Sequence, residues 1–348
     1  MKHASLRFRS AFRAFVISGL AAQGAVRAQD LDVANTSGWF VRVGAVARFN
    51  VKASITAIPR PTGSGIYDDG FVLPDSGGTA SGTTWNWGYN AASQIEDGQL
   101  VLKRFNDVPS FGQQDVNVSN PLLGGEITGG YQFSEFQMRK KSARFGVELG
   151  AGYFTFSEEM NFAPVGTASH TTATYGIGGI LPPIAPYAGT ATGPGPLINL
   201  NPGSSTDVRD NPGGTTTSFQ GNLEAHLYNL RIGPTLEVDL SKRLSVVVGA
   251  GYAPVYADAR LEYAEAVTFS NPAVPVLAPI RADLGESKWR LGFYGEIHLN
   301  FRITNHIDAF VGGDFQYNSD FTFGDSGHQV KLDLGATYGT KIGMTFRF

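Results

Sequence analysis

Residues 329–348 read QVKLDLGATYGTKIGMTFRF. Val330, Leu332, Leu334, Ala336, Tyr338, Thr340, Ile342, Met344, Phe346 and Phe348 occupy one face of this alternation. Gln329, Lys331, Asp333, Gly335, Thr337, Gly339, Lys341, Gly343, Thr345 and Arg347 occupy the other. Side chains of a strand alternate sides with period two, so the stretch predicts a strand with one apolar and one polar, glycine-rich face. Strands of soluble proteins usually run to about 5–6 residues. Twenty alternating residues suit a barrel strand with lipid outside and a polar lumen inside.

The same pattern recurs upstream. Ile307, Val311 and Phe315 oppose Asp308, Gly312 and Asp314; Trp289, Phe293, Ile297 and Phe301 oppose Arg290, Glu296, His298 and Arg302. Further outward faces run through Leu244–Tyr256, Tyr228–Leu240, Phe145–Tyr153 and Trp39–Val51, with a weaker one over 122–134. Above Tyr228 the apolar residues move to odd positions (Leu223, Ala225 and Leu227), which predicts a β-bulge near Leu227. The fold class is therefore all-β, an antiparallel up-and-down transmembrane β-barrel of eight strands. A hairpin in the first long loop, at the strand-like run Leu100–Phe105, would raise the count to ten.

The connections alternate in length. Short ones fall at 135–142, 241–243 and 304–306, and long ones at about 57–120, 158–221, 264–287 and 321–330. Short periplasmic turns and long extracellular loops are the barrel rule, which predicts both termini on the periplasmic side. Outward aromatics recur at fixed spacing: Trp39 with Phe49, Tyr338 with Phe348, Phe145 with Tyr153 and Phe293 with Phe301. Eight to ten residues at about 3.3 Å rise and roughly 45° tilt climb about 19–23 Å, close to the apolar band between two aromatic girdles.

The N-terminus predicts export. Lys2, Arg7, Arg9 and Arg13 precede the short apolar run Ala14–Ala22, and Val26-Arg27-Ala28 fits a signal-peptidase site, so residues 1–28 are read as a cleaved leader and 29–348 as one barrel domain. Five of the 27 Lys and Arg lie in that leader, leaving 22 against 30 acids, a charge of −8. That balance argues against a nucleic-acid partner. There is no cysteine, so neither disulfides nor a lipid-modified cysteine are available.

The repeated alternation, the loop asymmetry, the leader and the terminal Phe348 together resemble the small outer-membrane β-barrel proteins of Gram-negative bacteria, the OmpA- and OmpW-like class. The resemblance covers the whole mature chain and implies outer-membrane lipid as surroundings. It also implies the barrel-assembly machinery as a partner, reading the last strand through Phe348. It points to no particular subfamily.

The inward set expected to line the lumen is Arg42, Arg48, Glu126, Arg144, Glu148, Arg231, Glu237, Arg290, Glu296, His298, Arg302, Asp314, Lys331, Asp333 and Lys341, with Lys52, Asp239 and Asp308 beside them. Buried unpaired charge is costly, so these residues are expected to pair. An eight-stranded barrel has room mainly for its own side chains, which favours a filled lumen with a structural, surface-display or ligand-binding role for the loops. The alternative is a narrow porin-like channel for small polar or amphipathic solutes, with space supplied by glycines such as Gly44, Gly249, Gly335, Gly339 and Gly343. A hydrolase built on His226 or His328 is the remote third reading, and the chain is expected not to be an enzyme. In the first loop Trp85, Trp87 and Tyr89 are candidate ligand contacts or the core of a folded loop. The second loop, Met160–Gln220, is rich in Pro, Gly, Ser and Thr and is expected to be extended or mobile. Asp68, Asp69, Asp75, Asp207 and Asp210 offer oxygen ligands without a metal-loop spacing, and no cofactor or metal site is expected.

Overall fold

The computed structural model describes residues 38–58, 63–78, 82–118, 121–138 and 141–348. The expected leader lies outside the described residues. Among them no helix is long and apolar enough to cross a membrane.

Eight strands form a closed ring: β1 (Gly38–Phe49), β2 (Leu122–Met138), β3 (Lys141–Phe162), β4 (Thr215–Asp239), β5 (Leu244–Tyr252), β6 (Gly292–Arg302), β7 (Ile307–Asn318) and β8 (Ala336–Arg347). Each is antiparallel to its sequence neighbours, and β8 returns to β1. Closure leaves the ring without a free edge, which is what a wall in lipid requires. Trp39, Leu123, Leu149, Phe293 and Ile342 stay exposed on the outer face. An aromatic row Trp39–Tyr131–Phe133–Phe145 marks the end with the short turns. A second row, Tyr153–Tyr228–Tyr256–Trp289, marks the end with the loops.

Beyond the second row the wall continues but its chemistry inverts. Val255–Thr268 and Ile280–Arg290 prolong the line of β5 and β6, and together with the upper parts of β3 and β4 they make one four-stranded sheet. Opposite it, Phe321–Gly324, His328–Asp333, Lys52–Ala57 and Gln113–Val116 pair in that order as a second sheet. The two enclose Ile55, Phe154, Phe219, Leu223, Leu261, Phe321, Val330 and Leu332 in a dry core. Above the lipid belt water lies outside the wall, so apolar side chains gain by facing inward.

The two sheets reach this inversion by different routes. β3 and β4 keep one register from Ala143 opposite Val238 to Phe162 opposite Phe219, and β4 does the same against its other neighbour. The bulge expected near Leu227 is therefore absent: Leu223, Ala225 and Leu227 face inward like Arg231 below them, and only the residue type changes. In the other sheet the strands swap faces. Asn50 takes a left-handed φ of 66°, after which Val51, Ala53 and Ile55 point in. Around Leu334 and Gly335 the last strand does likewise, so Val330, Leu332 and Leu334 are buried while Tyr338 and Ile342 face lipid. The twenty-residue alternation is thus two strands with opposite faces inward.

The two longest loops fold together as a head. Ser204–Arg209, Ser169–Gly176, Gln99–Asn106 and Ile95–Glu96 form one sheet, and Tyr187–Ala188, Trp87–Tyr89, Gly70–Val72 and Ile66–Tyr67 form another. They pack around Val72, Trp87, Leu100, Leu102, Tyr175 and Ile198. The second loop is therefore not an extended tether, and the first adds no strand to the ring, which stays at eight.

Candidate functional site: the barrel lumen

Strand pleat and register place the inward residues in stacked layers. At the turn end Arg347 donates to Asp308 at 2.7 Å and to Glu237 at 2.8 Å, and Arg144 reaches Asp239 at 2.5 Å. Gln132 and Ser245 each donate to Glu237 at 2.6 Å. Arg302 sits at the rim, 3.9 Å from Asp308.

Phe40, Val247 and Phe310 are buried apolar side chains of the lumen, and the His298 ring lies 5.3 Å from that of Phe310. The Arg42 guanidinium lies over Phe40 and Phe310, at 5.4 and 5.5 Å from the ring centres.

Next comes the densest layer. Arg231 donates to Glu126 at 2.5 Å and to Glu296 at 2.6 Å. Lys341 sits 3.1 Å from both carboxylates and 3.5 Å from Asp314. Arg42 bridges Glu148 and Glu296 at 3.4 Å, Arg48 holds Asp314 at 2.8 Å, and Tyr294 donates to Glu148 at 2.9 Å. Four carboxylates thus face four Arg and Lys cations. Such neutrality is what lets so many charges leave water together. His298 lies beside Glu296 at 3.4 Å.

Asn229, Gln316 and Asn318 close the next level through hydrogen bonds of 2.7–3.0 Å. Asn318 also donates to the Ala253 carbonyl. Arg48 stacks on Phe154 where the ionic interior meets the apolar core. The void at that junction is about 20 Å3, room for about one water.

Eleven of the expected lumen residues are buried here: Arg42, Arg48, Glu126, Arg144, Glu148, Arg231, Glu237, Glu296, His298, Asp314 and Lys341. Arg302 is at the rim. Arg290 is half-buried against the Phe321 ring, beyond the belt. Lys331 and Asp333 are not in the lumen: the face swap turns them outward, where Lys331 pairs with Asp320 at 2.7 Å and Asp333 lies opposite Lys52 on the neighbouring strand. Lys52 is itself exposed on that outer face. Arg347, Gln132 and Tyr294 were absent from the expected set, although Arg347 and Tyr294 sit on the polar faces of their strands.

A Cβ on Gly44 or Gly343 would meet the Phe310 ring at 2.8 Å, and one on Gly339 would meet the Asp314 carboxylate at 2.1 Å. These glycines give room to large neighbours.

The other candidates sit outside the lumen. Trp87 is 0% exposed and stacks on Tyr89 at 5.8 Å, so both form the core of the head. Trp85 lies against Gly193, where a Cβ would meet its ring at 2.4 Å. Asp68 and Asp69 accept from the amides of Phe105 and Lys103, Asp75 from Thr84 and Asp207 from Thr171. Asp210 accepts from the amides of Asn211, Ser270 and Asn271 and the hydroxyls of Thr215 and Ser270. Burial pushes its carboxyl up, but these bonds outweigh it and hold the pKa at about 2. His226 meets Glu224 at 3.0 Å and Tyr153 at 2.8 Å on the outer wall. His328 meets Glu265 at 3.0 Å inside the apolar core.

The sequence matches no protein-family model and no curated protein. Among solved structures it is similar to the outer membrane protein OprG from Pseudomonas aeruginosa, at 11% identity and a TM-score of 0.37, covering 90% of this chain and 96% of that one. The outer membrane protease OmpT from Escherichia coli follows at 8% and 0.32, covering 90% and 98%. The attachment invasion locus protein Ail of Yersinia pestis gives 8% and 0.25, covering 89% and 99%. The chain has the outer-membrane β-barrel fold. Its closed ring, apolar belt and polar interior carry that statement independently of these likenesses.

Proposed function

We propose that this protein is a non-conducting outer-membrane barrel whose filled wall carries a folded extracellular head. The observation behind this reading is the continuity of the interior. Ionic, amide and hydrocarbon layers succeed one another from the turn end to the head, with buried aromatic rings among the charges and a water-sized void below the hydrocarbon core. A solute moving along the axis would have to break a neutral charge network and then cross a dry core, and both steps carry large barriers.

Short turns face the periplasm in such barrels and long loops face outward, which supports a cell-surface position for the head. A catalytic role has little support. Around His226 and Glu224 the strand amides of β4 are paired on both sides, so no backbone donors are free for an oxyanion.

Planar-bilayer recording on the reconstituted full chain tests the reading. The expected result is no discrete conductance step. Steps that vanish when Gly339 is replaced by a bulky residue would establish an axial path and overturn it.

A further inference from the structure

The head carries a distinct feature at the end remote from the barrel. Its strand Ser169–Gly176 starts beside Asp210, which binds Ser270 and Asn271 at the top of the wall, and ends with Gly176 opposite Gln99. The eight residues of this strand climb roughly 23 Å at about 3.3 Å each. From that far end the chain continues into Leu181-Pro182-Pro183-Ile184. Leu181 is 91% and Ile184 93% exposed. Proline fixes φ and drives the residue before it to extended backbone. Such a segment has three residues per turn, so positions 181 and 184 fall on one side and make an aliphatic ridge. Its base is held: the Tyr89 hydroxyl donates to the Pro183 carbonyl, and Tyr187 pairs with Tyr89 in the head sheet. Between His170 and Asp207 the chain has no Asp, Glu, Lys or Arg.

We propose that this ridge inserts into a zwitterionic lipid bilayer facing the cell. The role rests on the surface position of the head proposed above. Chemistry selects a bilayer over a protein groove. A bilayer asks for apolar area and the absence of charge, because aliphatic side chains gain by leaving water and charges near hydrocarbon are costly. Protein interfaces instead surround an apolar centre with a polar rim and are enriched in Arg. The ridge supplies the aliphatic area, and the long uncharged stretch around it lacks a charged rim.

The class of lipid follows from the neighbouring turn. Glu96 and Asp97 are exposed beside Gln99, at the same end of the head sheet. An anionic membrane surface repels this pair, whereas phosphatidylcholine headgroups carry no net charge. One ridge holds weakly, and many barrels on one cell hold together through multivalency.

The test mixes the full-length chain in nanodiscs with phosphatidylcholine vesicles and separates them by flotation. The chain should float with the vesicles. Leu181→Ser with Ile184→Ser should lower the bound fraction about tenfold or more. Val165→Ser with Val276→Ser, at two exposed aliphatics on other segments, should leave it unchanged. Vesicles with about one-third phosphatidylserine should bind about fivefold less, and Glu96→Gln with Asp97→Asn should remove that difference. The variant Thr192→Cys, in a chain without cysteine, reads the position of the head through a membrane-impermeant maleimide on intact cells. Labelling without flotation would overturn the role of the ridge and leave the head on the surface, whereas absence of labelling would overturn both. Equal loss in the Val165 and Val276 variant, or equal binding of the anionic vesicles, would also overturn the proposal.

Discussion

Arg231 on β4 donates to Glu296 on β6 at 2.6 Å, across a barrel interior where the two strands are not neighbours. Both side chains are almost wholly out of solvent, so the pair cannot relax into water when one partner is removed. Replacing Arg231 by Met leaves four carboxylates against three cations. The expected cost is about 3–5 kcal/mol, read as a fall in the urea midpoint for loss of the heat-modifiable folded band. Adding Glu296→Gln restores the balance and should recover part of the loss. A double variant no better than the single one would show that packing, and not charge balance, sets the cost.

Phe310 fills the space beside Gly44 and Gly343 and lies under the Arg42 guanidinium. Phe310→Ala should cost about 3–5 kcal/mol by opening a cavity. It should nonetheless remain silent in planar bilayers, because the charge layers and the apolar core still close the axis. Conductance in this variant, with the parent chain silent, would identify the Phe310 ring as a barrier on the axis.

The ring was legible because lipid and lumen impose opposite chemistry on alternate residues of β1 and of β3 to β8. The upper wall was less so. Alternation reports that two faces differ, not which one is inside. Val330 and Tyr338 share a parity, yet one is 0% and the other 53% exposed, because the strand changes face around Gly335. Leu223, Ala225 and Leu227 misled in the opposite sense: a change of solvent outside the wall looks like a change of phase. The head was hidden for another reason. Trp87 and Tyr175 lie in different loops, and their shared core leaves no local period.

That shared core gives the head an apolar cluster of its own. Trp87 is 0% exposed and donates its indole N–H to the Pro196 carbonyl at 2.8 Å. Trp87→Ala should remove about 3–5 kcal/mol from the head while leaving the lipid-embedded ring intact. Limited proteolysis should then cut within residues 163–214, and the barrel should keep its heat-modifiable mobility. Loss of that mobility would show that head and ring fold as one unit.

Asp210 ties the second loop to the 269–279 loop through Ser270 and Asn271. Its pKa is lowered from 3.8 to about 2. A carboxyl with a depressed folded pKa contributes stability that is full above about 3.8 and is lost as pH falls through about 2. Protection of the Asn211 and Asn271 amides in hydrogen exchange should therefore hold from pH 7 to 4 and fall between 4 and 2. In Asp210→Ala the protection should be low throughout, with no such step. A step of equal size in that variant would assign the transition to another group.

The face swap makes opposite predictions for three residues of the last twenty. Ile342 faces lipid, so Ile342→Arg should cost about 2–4 kcal/mol near the midplane. Val330 has the same parity but lies in the dry core against Ile55 and Leu332, so Val330→Arg should be at least as damaging, and no lipid thickness should rescue it. Lys331 lies between them in kind: it projects outward to Asp320, with its side chain 46% exposed. Lys331→Leu should change stability by no more than about 0.5 kcal/mol. Were Lys331 inside an unbroken strand, the same change would unpair a buried carboxylate and cost several times more. Urea midpoints for the three variants, measured in bilayers of two thicknesses, separate these cases: only Ile342→Arg should respond to the thickness of the lipid.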